Sequence, residues 1–239
     1  MANLSHHTTA KSLPAGKWPG MQPNGIIRSF VASRKKYLFA KRSFDILSSI
    51  LIIAGVLSWL TPLVALCIKL DSKGPVFFSQ KRLGRNGYGF MCYKFRTMIR
   101  NKEADELPAG ENDERITRVG RFLRHTNLDE LPQFFNVLAG QMSVVGPRPH
   151  MVADCIRFSF VISSYSFRSL LRPGITGWAQ VNGFHGPTTD YDSVILRYYW
   201  DAMYVRKAGM GLDCKIIWNT VKSGLLNIIE IIFRRRGTV

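Results

Sequence analysis

The feature that most constrains this chain is an uncharged run of 23 residues, ILSSILIIAGVLSWLTPLVALCI, at positions 46–68. At about 1.5 Å per residue, a helix of this length crosses the hydrocarbon core of a bilayer. The sequence therefore predicts an N-terminal apolar helix. Such a helix could span the membrane, enter it and return on the same side, or form the core of a soluble protein.

Two features of the run argue against a simple crossing. Pro62 lies within it, and an internal proline kinks or breaks a helix. Eight Lys or Arg and one acid, Asp45, precede the run, whereas five Lys or Arg and one acid follow between Lys69 and Arg85. Cations on both flanks conflict with the positive-inside rule for a single span. We therefore expect a re-entrant helix that bends near Pro62, with Arg42 and Asp45 paired at its entrance.

A second informative stretch runs from Arg118 to Pro149 and has two adjacent carboxylates, Asp129 and Glu130, near its middle. Proline is tolerated in the first turn of a helix, so Pro132 predicts a helix start at about residues 128–131. Both carboxylates then lie at a helix N-terminus, where free N–H groups and the positive end of the dipole favour anions, including phosphate. A helix cap is the alternative role for the pair.

Basic and apolar residues lie on both sides of this helix start in the sequence. Helical spacing puts three apolar residues of the preceding segment on one face and three basic residues on another: Ile116, Val119 and Leu123 against Arg118, Arg121 and His125. Downstream, Arg148 lies between two prolines, which restrict the backbone on both sides. The helix itself is expected to bury one apolar stripe, made of Leu131, Phe134, Phe135 and Leu138. Carboxylates surrounded by arginines indicate an anionic substrate, although a basic helical face is also typical of plain solvated surface.

Elsewhere the pattern predicts an α+β fold. Residues 76–82 and 88–98 read as two strands of a hairpin around Asn86-Gly87. Alternation along the second strand places Lys94 and Arg96 on the same face, either as solvated surface or as substrate ligands. A helix within 151–171, a short strand at 175–181 and a helix at 189–206 follow, and the apolar segment 225–239 ends in arginines that suit a membrane surface.

Charge and cysteine content limit the classes of partner. The formal net charge is +17, with 33 Lys and Arg against 16 acids, so nucleic acid, an anionic membrane surface and phosphorylated substrates are the candidate partners. The four cysteines form no CxxC pair, and we expect them to be reduced and buried, as in a cytosolic compartment. The sequence also lacks GxxxxGK, GxGxxG and HExxH motifs.

Three segments together resemble the bacterial sugar transferase family, the monotopic phosphoglycosyl transferases that begin exopolysaccharide, O-antigen and glycan assembly. They are YKFRTM at 93–98, LDELPQFFNVLAGQMSVVGPRP at 128–149 and RPGITGWAQVNG at 172–183. The likeness covers roughly residues 38–222. It implies a re-entrant membrane helix at 38–70 and a compact catalytic domain at 71–224 with a small β-hairpin and amphipathic surface helices. Outside it, composition predicts a disordered basic extension at 1–37, which has no acid, and a C-terminal amphipathic segment at 225–239.

The resemblance also implies a reaction. A UDP-sugar, with a UDP-hexose favoured over an N-acetylated sugar, would transfer its sugar-1-phosphate to polyprenyl (undecaprenyl) phosphate and release UMP. Asp129 would be the nucleophile that carries the phosphosugar, since carboxylates can form covalent intermediates. Glu130, with Asp129 as a second ligand, would position Mg²⁺. The substrate would be held by Lys94, Arg96, Arg118, Arg121 and Arg148.

Further expectations follow from the same resemblance. The site would lie on the cytosolic face of the bacterial inner membrane, in contact with anionic lipids, and a homodimer is left open. Asp201 and Asp213 match acids of the family's C-terminal pattern, for which we expect structural pairing. A catalytically silent homologue acting as a scaffold is the alternative that intact Asp129 and Glu130 disfavour. A nucleic-acid-binding protein is a third class, but it gives the 23-residue apolar run no role.

Overall fold

The computed structural model describes residues 31, 33–99, 110, 113–184, 186 and 190–234; residues 230–232 and 234 are described by their backbone only. The proposed N-terminal extension at 1–37 therefore lies mostly outside the described residues. The apolar run forms a helix that extends past both of its ends, from Lys35 to Asp71, and this helix is long and apolar enough to cross a membrane. It consists of α1 (Lys35–Ile52), a π-helical turn (Ile53–Leu57) and α2 (Ser58–Asp71).

The irregularity in this long helix falls one to two turns before the proline. Pro62 lies inside α2, and the π-helical turn precedes it. Two side chains donate to carbonyls in that turn: Ser58 Oγ to Ala54 at 2.6 Å and Trp59 Nε1 to Gly55 at 2.8 Å. Side-chain bonds of this kind add partners for carbonyls where a π-helical turn changes the regular backbone pattern. Pro62 itself therefore lies within a continuous helix, and the irregular hydrogen bonding falls in the π-helical turn before it.

The rest of the chain forms an α+β domain. Its order is β1 (Phe77–Leu83), β2 (Gly89–Phe95), α3 (Arg118–His125), α4 (Gln133–Leu138), β3 (Ser143–Val145), α5 (Val152–Val161), β4 (Gly174–Thr176), α6 (Trp178–Val181), α7 (Tyr191–Lys207) and α8 (Met210–Arg234). Short 3₁₀ turns cover Arg85–Gly87, Leu128–Glu130 and Tyr165–Leu170. The predicted helices near 118–125, 151–171 and 189–206 are thus confirmed, and the expected boundary at 224/225 falls inside the continuous α8.

Two small sheets organise the core. The predicted hairpin is confirmed: β1 and β2 are antiparallel, with Phe77 opposite Phe95, and β3 pairs with β4 in parallel. The strand expected at 175–181 is shorter than predicted, because the chain turns into α6 at Trp178. At Gly146, an added Cβ would lie 2.3 Å from the Arg172 carbonyl oxygen, so only glycine permits this approach of the two β segments.

The stripe predicted for α4 is partly wrong. Phe135 and Leu138 are 43% and 39% exposed, whereas Gln133, Asn136 and Val137 are buried. The physical reason is the polar bridge formed by Asn136, which accepts from the Tyr93 N–H at 3.0 Å and donates to the Met91 carbonyl at 2.7 Å. This amide fastens α4 to β2 and turns Asn136, not Phe135, toward the interior.

The expected pair between Arg42 and Asp45 is also corrected. Arg42 donates to the carbonyls of Val137 and Leu138 at 2.7 and 3.0 Å, at the C-terminal end of α4. Asp45 accepts from the Ser143 hydroxyl and the Val144 N–H, both at 2.9 Å. Each side chain attaches α1 to the domain, because backbone groups at helix and strand ends need partners.

The four cysteines are free, as expected for reduced residues. Cys92 and Cys155 are buried, whereas Cys214 is exposed, so the expectation of burial is wrong there. Structural pairing is confirmed for both C-terminal acids. Asp201 binds Arg168 at 2.7 Å and Asp213 binds Lys41 at 2.8 Å.

Candidate active site

The Asp129-Glu130 pair lies in the 3₁₀ turn just before α4. The preceding Asn127 has φ 57°, a left-handed conformation that asparagine tolerates better than most residues. This reversal separates α3 from the turn, and Pro132 then occupies the N-cap of α4. The predicted start at 128–131 is therefore a 3₁₀ turn, with the α-helix proper beginning at Gln133. Both carboxylates are buried, with 7% and 8% of Asp129 and Glu130 exposed.

Glu130 is held by two cations from different parts of the chain. Lys94 Nζ on β2 lies 2.6 Å from Glu130 Oε1. Arg148, in the loop after β3, donates from Nη2 to Oε1 at 2.8 Å and from Nη1 to Oε2 at 3.3 Å, a two-pronged contact. The structure thus joins Lys94, Glu130 and Arg148, which are separated in sequence by up to 54 positions, in one ionic cluster.

The two carboxylates differ electrostatically. Burial raises the pKa of Asp129 from 3.8 to about 6, although the charge of Lys94 opposes the effect. Burial also acts to raise the pKa of Glu130, but Arg148 and Lys94 outweigh it and hold that pKa well below its usual range. Glu130 in turn raises the pKa of Arg148. Glu130 is therefore a fixed anion, and Asp129 is a carboxylate poised to change charge near neutral pH.

Arg124 is a further cation of the site that the sequence reasoning missed. Its guanidinium donates from Nε to Thr97 Oγ1 at 2.9 Å, and its charge acts to lower the pKa of Asp129. The available signal was Gly120, one turn earlier on α3, where an added Cβ would lie 2.0 Å from the Thr97 carbonyl oxygen. The face of α3 that carries Gly120 therefore packs closely against Thr97. Arg124, four residues later, lies on the same face, nearer to Asp129.

The predicted basic face of α3 does not contact the carboxylate pair through hydrogen bonds among the described residues. Its members Arg118, Arg121 and His125 are exposed. The helix itself buries Leu123, as expected. The roles of Arg118 and Arg121 in substrate binding remain predictions.

Arg96, predicted to bind substrate, contacts backbone carbonyls at the end of α2, and its role in substrate binding remains a prediction. Strand β2 ends at Phe95, so the alternation that would align Arg96 with Lys94 stops there. The guanidinium donates from Nη1 to the Lys73 carbonyl at 2.8 Å and from Nη2 to the Ser72 carbonyl at 2.7 Å. A third contact reaches the Ile68 carbonyl at 3.4 Å. Arg96 therefore caps the C-terminal end of α2.

A second layer of side chains positions Arg148. Arg168 Nη2 donates to the Arg148 carbonyl at 2.6 Å, and Arg168 is itself held by Asp201. The neighbouring His150 is buried and contacts the Tyr165 hydroxyl through Nδ1. Burial lowers the pKa of His150, and Arg168 and other arginines add to the effect. His150 is therefore a neutral structural partner near neutral pH.

Asp129 and Glu130 are the two carboxylates of this site that could bind Mg²⁺. Within the described parts of the chain, no group of three or more His, Cys, Asp or Glu side chains gathers to hold a metal. Mg²⁺ commonly takes only one or two carboxylates and completes its shell with phosphate oxygens and water. Asp129 and Glu130 fit that requirement, although Glu130 already receives Lys94 and Arg148.

The fold and the site define a class of protein: an α+β domain attached to a long apolar helix, with a buried aspartate and a cluster of cations suited to a phosphorylated substrate. The chain belongs to the bacterial sugar transferase family, whose model matches residues 36–227. It is 46% identical over 188 residues to a UDP-glucose:undecaprenyl-phosphate glucose-1-phosphate transferase of Klebsiella pneumoniae, covering 78% of this chain and 40% of that protein.

Two other relatives show the range of the similarity. A UDP-N-acetylgalactosamine-undecaprenyl-phosphate N-acetylgalactosaminephosphotransferase of Aeromonas hydrophila is 42% identical over 188 residues, which are 78% of this chain and 44% of that protein. An exopolysaccharide production protein PSS of Rhizobium leguminosarum bv. phaseoli is 44% identical over 197 residues, which are 79% of this chain and 96% of the relative. The chain thus spans less than half of the first two relatives and nearly all of the third.

Proposed function

We propose that this protein is a membrane-bound phosphoglycosyl transferase that moves a sugar-1-phosphate from a UDP-sugar to undecaprenyl phosphate. The observation that carries the proposal is the buried Asp129, whose pKa is raised to about 6, beside a Glu130 neutralised by Lys94 and Arg148. The names of the relatives from Klebsiella and Aeromonas include this acceptor and support the reaction class.

In the first step, a carboxylate oxygen of Asp129 attacks the β-phosphorus of the UDP-sugar. The bond from that phosphorus to the bridging oxygen of the diphosphate breaks, UMP leaves, and Asp129 carries the sugar-phosphate as an acyl phosphate. In the second step, a phosphate oxygen of undecaprenyl phosphate attacks the same phosphorus, and the carboxylate of Asp129 leaves. Burial of Asp129 favours the reaction because a poorly solvated carboxylate is a stronger base and nucleophile.

The cations hold the substrate charge. Lys94 and Arg148 lie against Glu130, so a diphosphate that enters the site meets two donors whose positions Glu130 fixes. Arg124 adds a third positive charge near Asp129. Mg²⁺, when bound by Asp129 and Glu130, would supply further neutralisation of the phosphate charge.

We also propose that the long helix is re-entrant and that the domain lies on the cytosolic face of the bacterial inner membrane. Both ends of the uncharged run are bonded to the same domain. Asp45 accepts from Val144 N at one end, and Asp71 accepts from Val119 N at 2.9 Å at the other. A spanning helix would separate these two residues by about 39 Å across the bilayer. The π-helical turn and Pro62 supply a place to bend.

Intact-protein mass spectrometry tests the covalent step. The purified chain is incubated with UDP-glucose, UDP-galactose or UDP-N-acetylgalactosamine, with the lipid acceptor withheld. We expect a mass increase of one hexose phosphate or N-acetylhexosamine phosphate at Asp129, together with one equivalent of UMP. Asp129→Asn should give neither. UMP release without an adduct would contradict the double displacement, and no release with any sugar would favour the silent scaffold.

Cysteine labelling tests the topology. Single cysteines at positions 30 and 110, in a background without the native four, should both resist a membrane-impermeant reagent added from the periplasmic side. Labelling of position 30 alone would establish a spanning helix. Labelling of both after the membrane is permeabilised is the control.

A further inference from the structure

A second cationic cleft lies at the base of the long helix, apart from the Asp129 site. It is bounded by α1, by the turn after β1, by β3 and by the segment before β4. Its charged lining consists of Lys41, Asp45, Arg85 and Arg172, and Leu38 and Leu171 form apolar walls. Three cations therefore face one acid in a partly enclosed space.

The two arginines have donors that the fold leaves free. Arg85 uses Nε to donate to the Leu170 carbonyl at 3.2 Å, and Arg172 uses Nε to donate to the Gly140 carbonyl at 2.8 Å. No acceptor among the described residues takes their terminal amino groups. Each guanidinium is therefore oriented by the protein through one nitrogen and retains four N–H groups for a ligand.

The acids near the cleft are already engaged. Asp45 accepts from Ser143 and Val144, and Asp213 holds Lys41 at 2.8 Å. The positive charges of Arg85 and Arg172 consequently remain uncompensated by a hydrogen-bonded carboxylate. The pKa of Arg172 is lowered first by burial and then by repulsion from Arg42 and Arg85, as expected where like charges gather. An anion in the cleft would relieve that repulsion.

The position of the cleft along the helix indicates the source of the anion. Asp45 immediately precedes the uncharged run, and Lys41 lies one turn earlier. At 1.5 Å per residue, both fall within about 8 Å of the first residue of the run. The polar head-group layer on each side of the hydrocarbon core is about 5–8 Å thick. If the run lies in the bilayer as proposed above, the cleft opens at the depth of lipid phosphates.

We propose that this cleft binds the phosphate group of a membrane lipid through Arg85 and Arg172. Basic pockets beside membrane helices suit such head groups, and arginine presents a fork that matches phosphate oxygens. Leu171 also lines a neighbouring small cavity that Arg148 and Arg168 border, so these two cavities share a wall. Only the depth of the cleft in the membrane rests on the proposed function.

The test measures lipid binding to the full chain in dodecyl maltoside micelles by native mass spectrometry, without any UDP-sugar. The probes are undecaprenyl phosphate, phosphatidylglycerol, diacylglycerol as the lipid without phosphate, and inorganic phosphate. We expect at least one phosphate-bearing lipid to bind more tightly than diacylglycerol. Arg85→Gln should weaken that binding about tenfold, the loss of roughly one charge-assisted hydrogen bond. Arg172→Gln should act in the same direction, Arg85→Lys should recover part of it, and the exposed Lys207→Gln should match wild type.

The outcomes separate the lipid sources. If Arg85→Gln weakens the binding of undecaprenyl phosphate only, the cleft is an acceptor site. If it weakens the binding of phosphatidylglycerol, with or without an effect on undecaprenyl phosphate, the cleft is a head-group site. The proposal would be overturned if Arg85→Gln bound the phosphate-bearing lipid as tightly as wild type, or if Lys207→Gln weakened that binding as much as Arg85→Gln does. It would also be overturned if Arg85→Gln weakened diacylglycerol binding equally, or if inorganic phosphate bound as tightly as the lipid. Because Arg172 also holds Gly140, a thermal unfolding scan without lipid accompanies each variant, and Arg85→Gln is decisive. Failure of the transferase reaction would leave this result unaffected, since no turnover is measured.

Discussion

Asp129→Asn should abolish turnover and also make the folded protein more stable near neutral pH. Burial raises the pKa of Asp129 from 3.8 to about 6, so the ionised carboxylate is less favourable in the folded than in the unfolded state. One pH unit of difference corresponds to about 1.4 kcal/mol, which gives a cost of about 3 kcal/mol when the group is ionised in both states. An asparagine of the same shape carries no charge and avoids that cost.

The pH dependence fixes the sign. Below about pH 3 the carboxyl is mostly protonated in both states, so the variant and the wild type should unfold at similar temperatures. The stabilisation by Asn should grow from about pH 4, be largely present at about pH 6 and be complete by about pH 7. For a chain of this size, about 2–4 °C per kcal/mol predicts a rise of roughly 6–12 °C in the unfolding midpoint at pH 7.5.

The assay is thermal unfolding in detergent at pH 4, 6 and 7.5, paired with UMP release from UDP-sugars. Asp213→Asn is the contrasting control, because this buried aspartate accepts from Lys41 at 2.8 Å and its loss leaves a buried cation without its partner. That variant should be destabilised by about 3 kcal/mol or more. A lower midpoint for Asp129→Asn at pH 7.5, or a gain that does not diminish toward pH 4, would refute the electrostatic reasoning.

Three further predictions address the site. Lys94→Met removes the charge that most lowers the pKa of Asp129. The acidic limb of the plot of kcat/KM against pH should therefore move up by about 1 pH unit or more. Lys207→Met should leave this limb unchanged, and a downward move in Lys94→Met would contradict the role given to Lys94. Arg96→Met should lower the unfolding midpoint while leaving KM for the UDP-sugar unchanged, whereas Arg148→Met should raise KM; a raised KM in both would support the role of Arg96 in substrate binding. EDTA should stop UMP release with little change in the unfolding midpoint, and unchanged release would remove the role of Mg²⁺.

Several properties followed from local sequence alone. The uncharged length of 46–68 determined an apolar helix, and Pro132 placed Asp129 and Glu130 at the start of the next helical segment. The hairpin followed from alternation and the Asn86-Gly87 turn. Helix length, proline geometry and strand alternation depend on neighbours within a few residues, so sequence patterns report them directly.

The composition of the site required tertiary structure. Lys94 and Arg96 are two residues apart, yet one reaches Glu130 and the other caps α2, because the strand ends between them. Spacing on α3 favoured Arg118 and Arg121, whereas the helix face that packs at Gly120 also carries Arg124, whose charge acts on Asp129.

The charge states of the two carboxylates, Asp129 and Glu130, were likewise decided by the fold. Adjacent acids have similar pKa values in an unfolded chain. Here, burial leaves Asp129 poised near neutral pH, while Lys94 and Arg148, brought from distant segments, keep Glu130 ionised. The sequence determined which residues could take part, and only the folded arrangement decided their partners, because desolvation and ion pairing depend on distances that the order of residues does not contain.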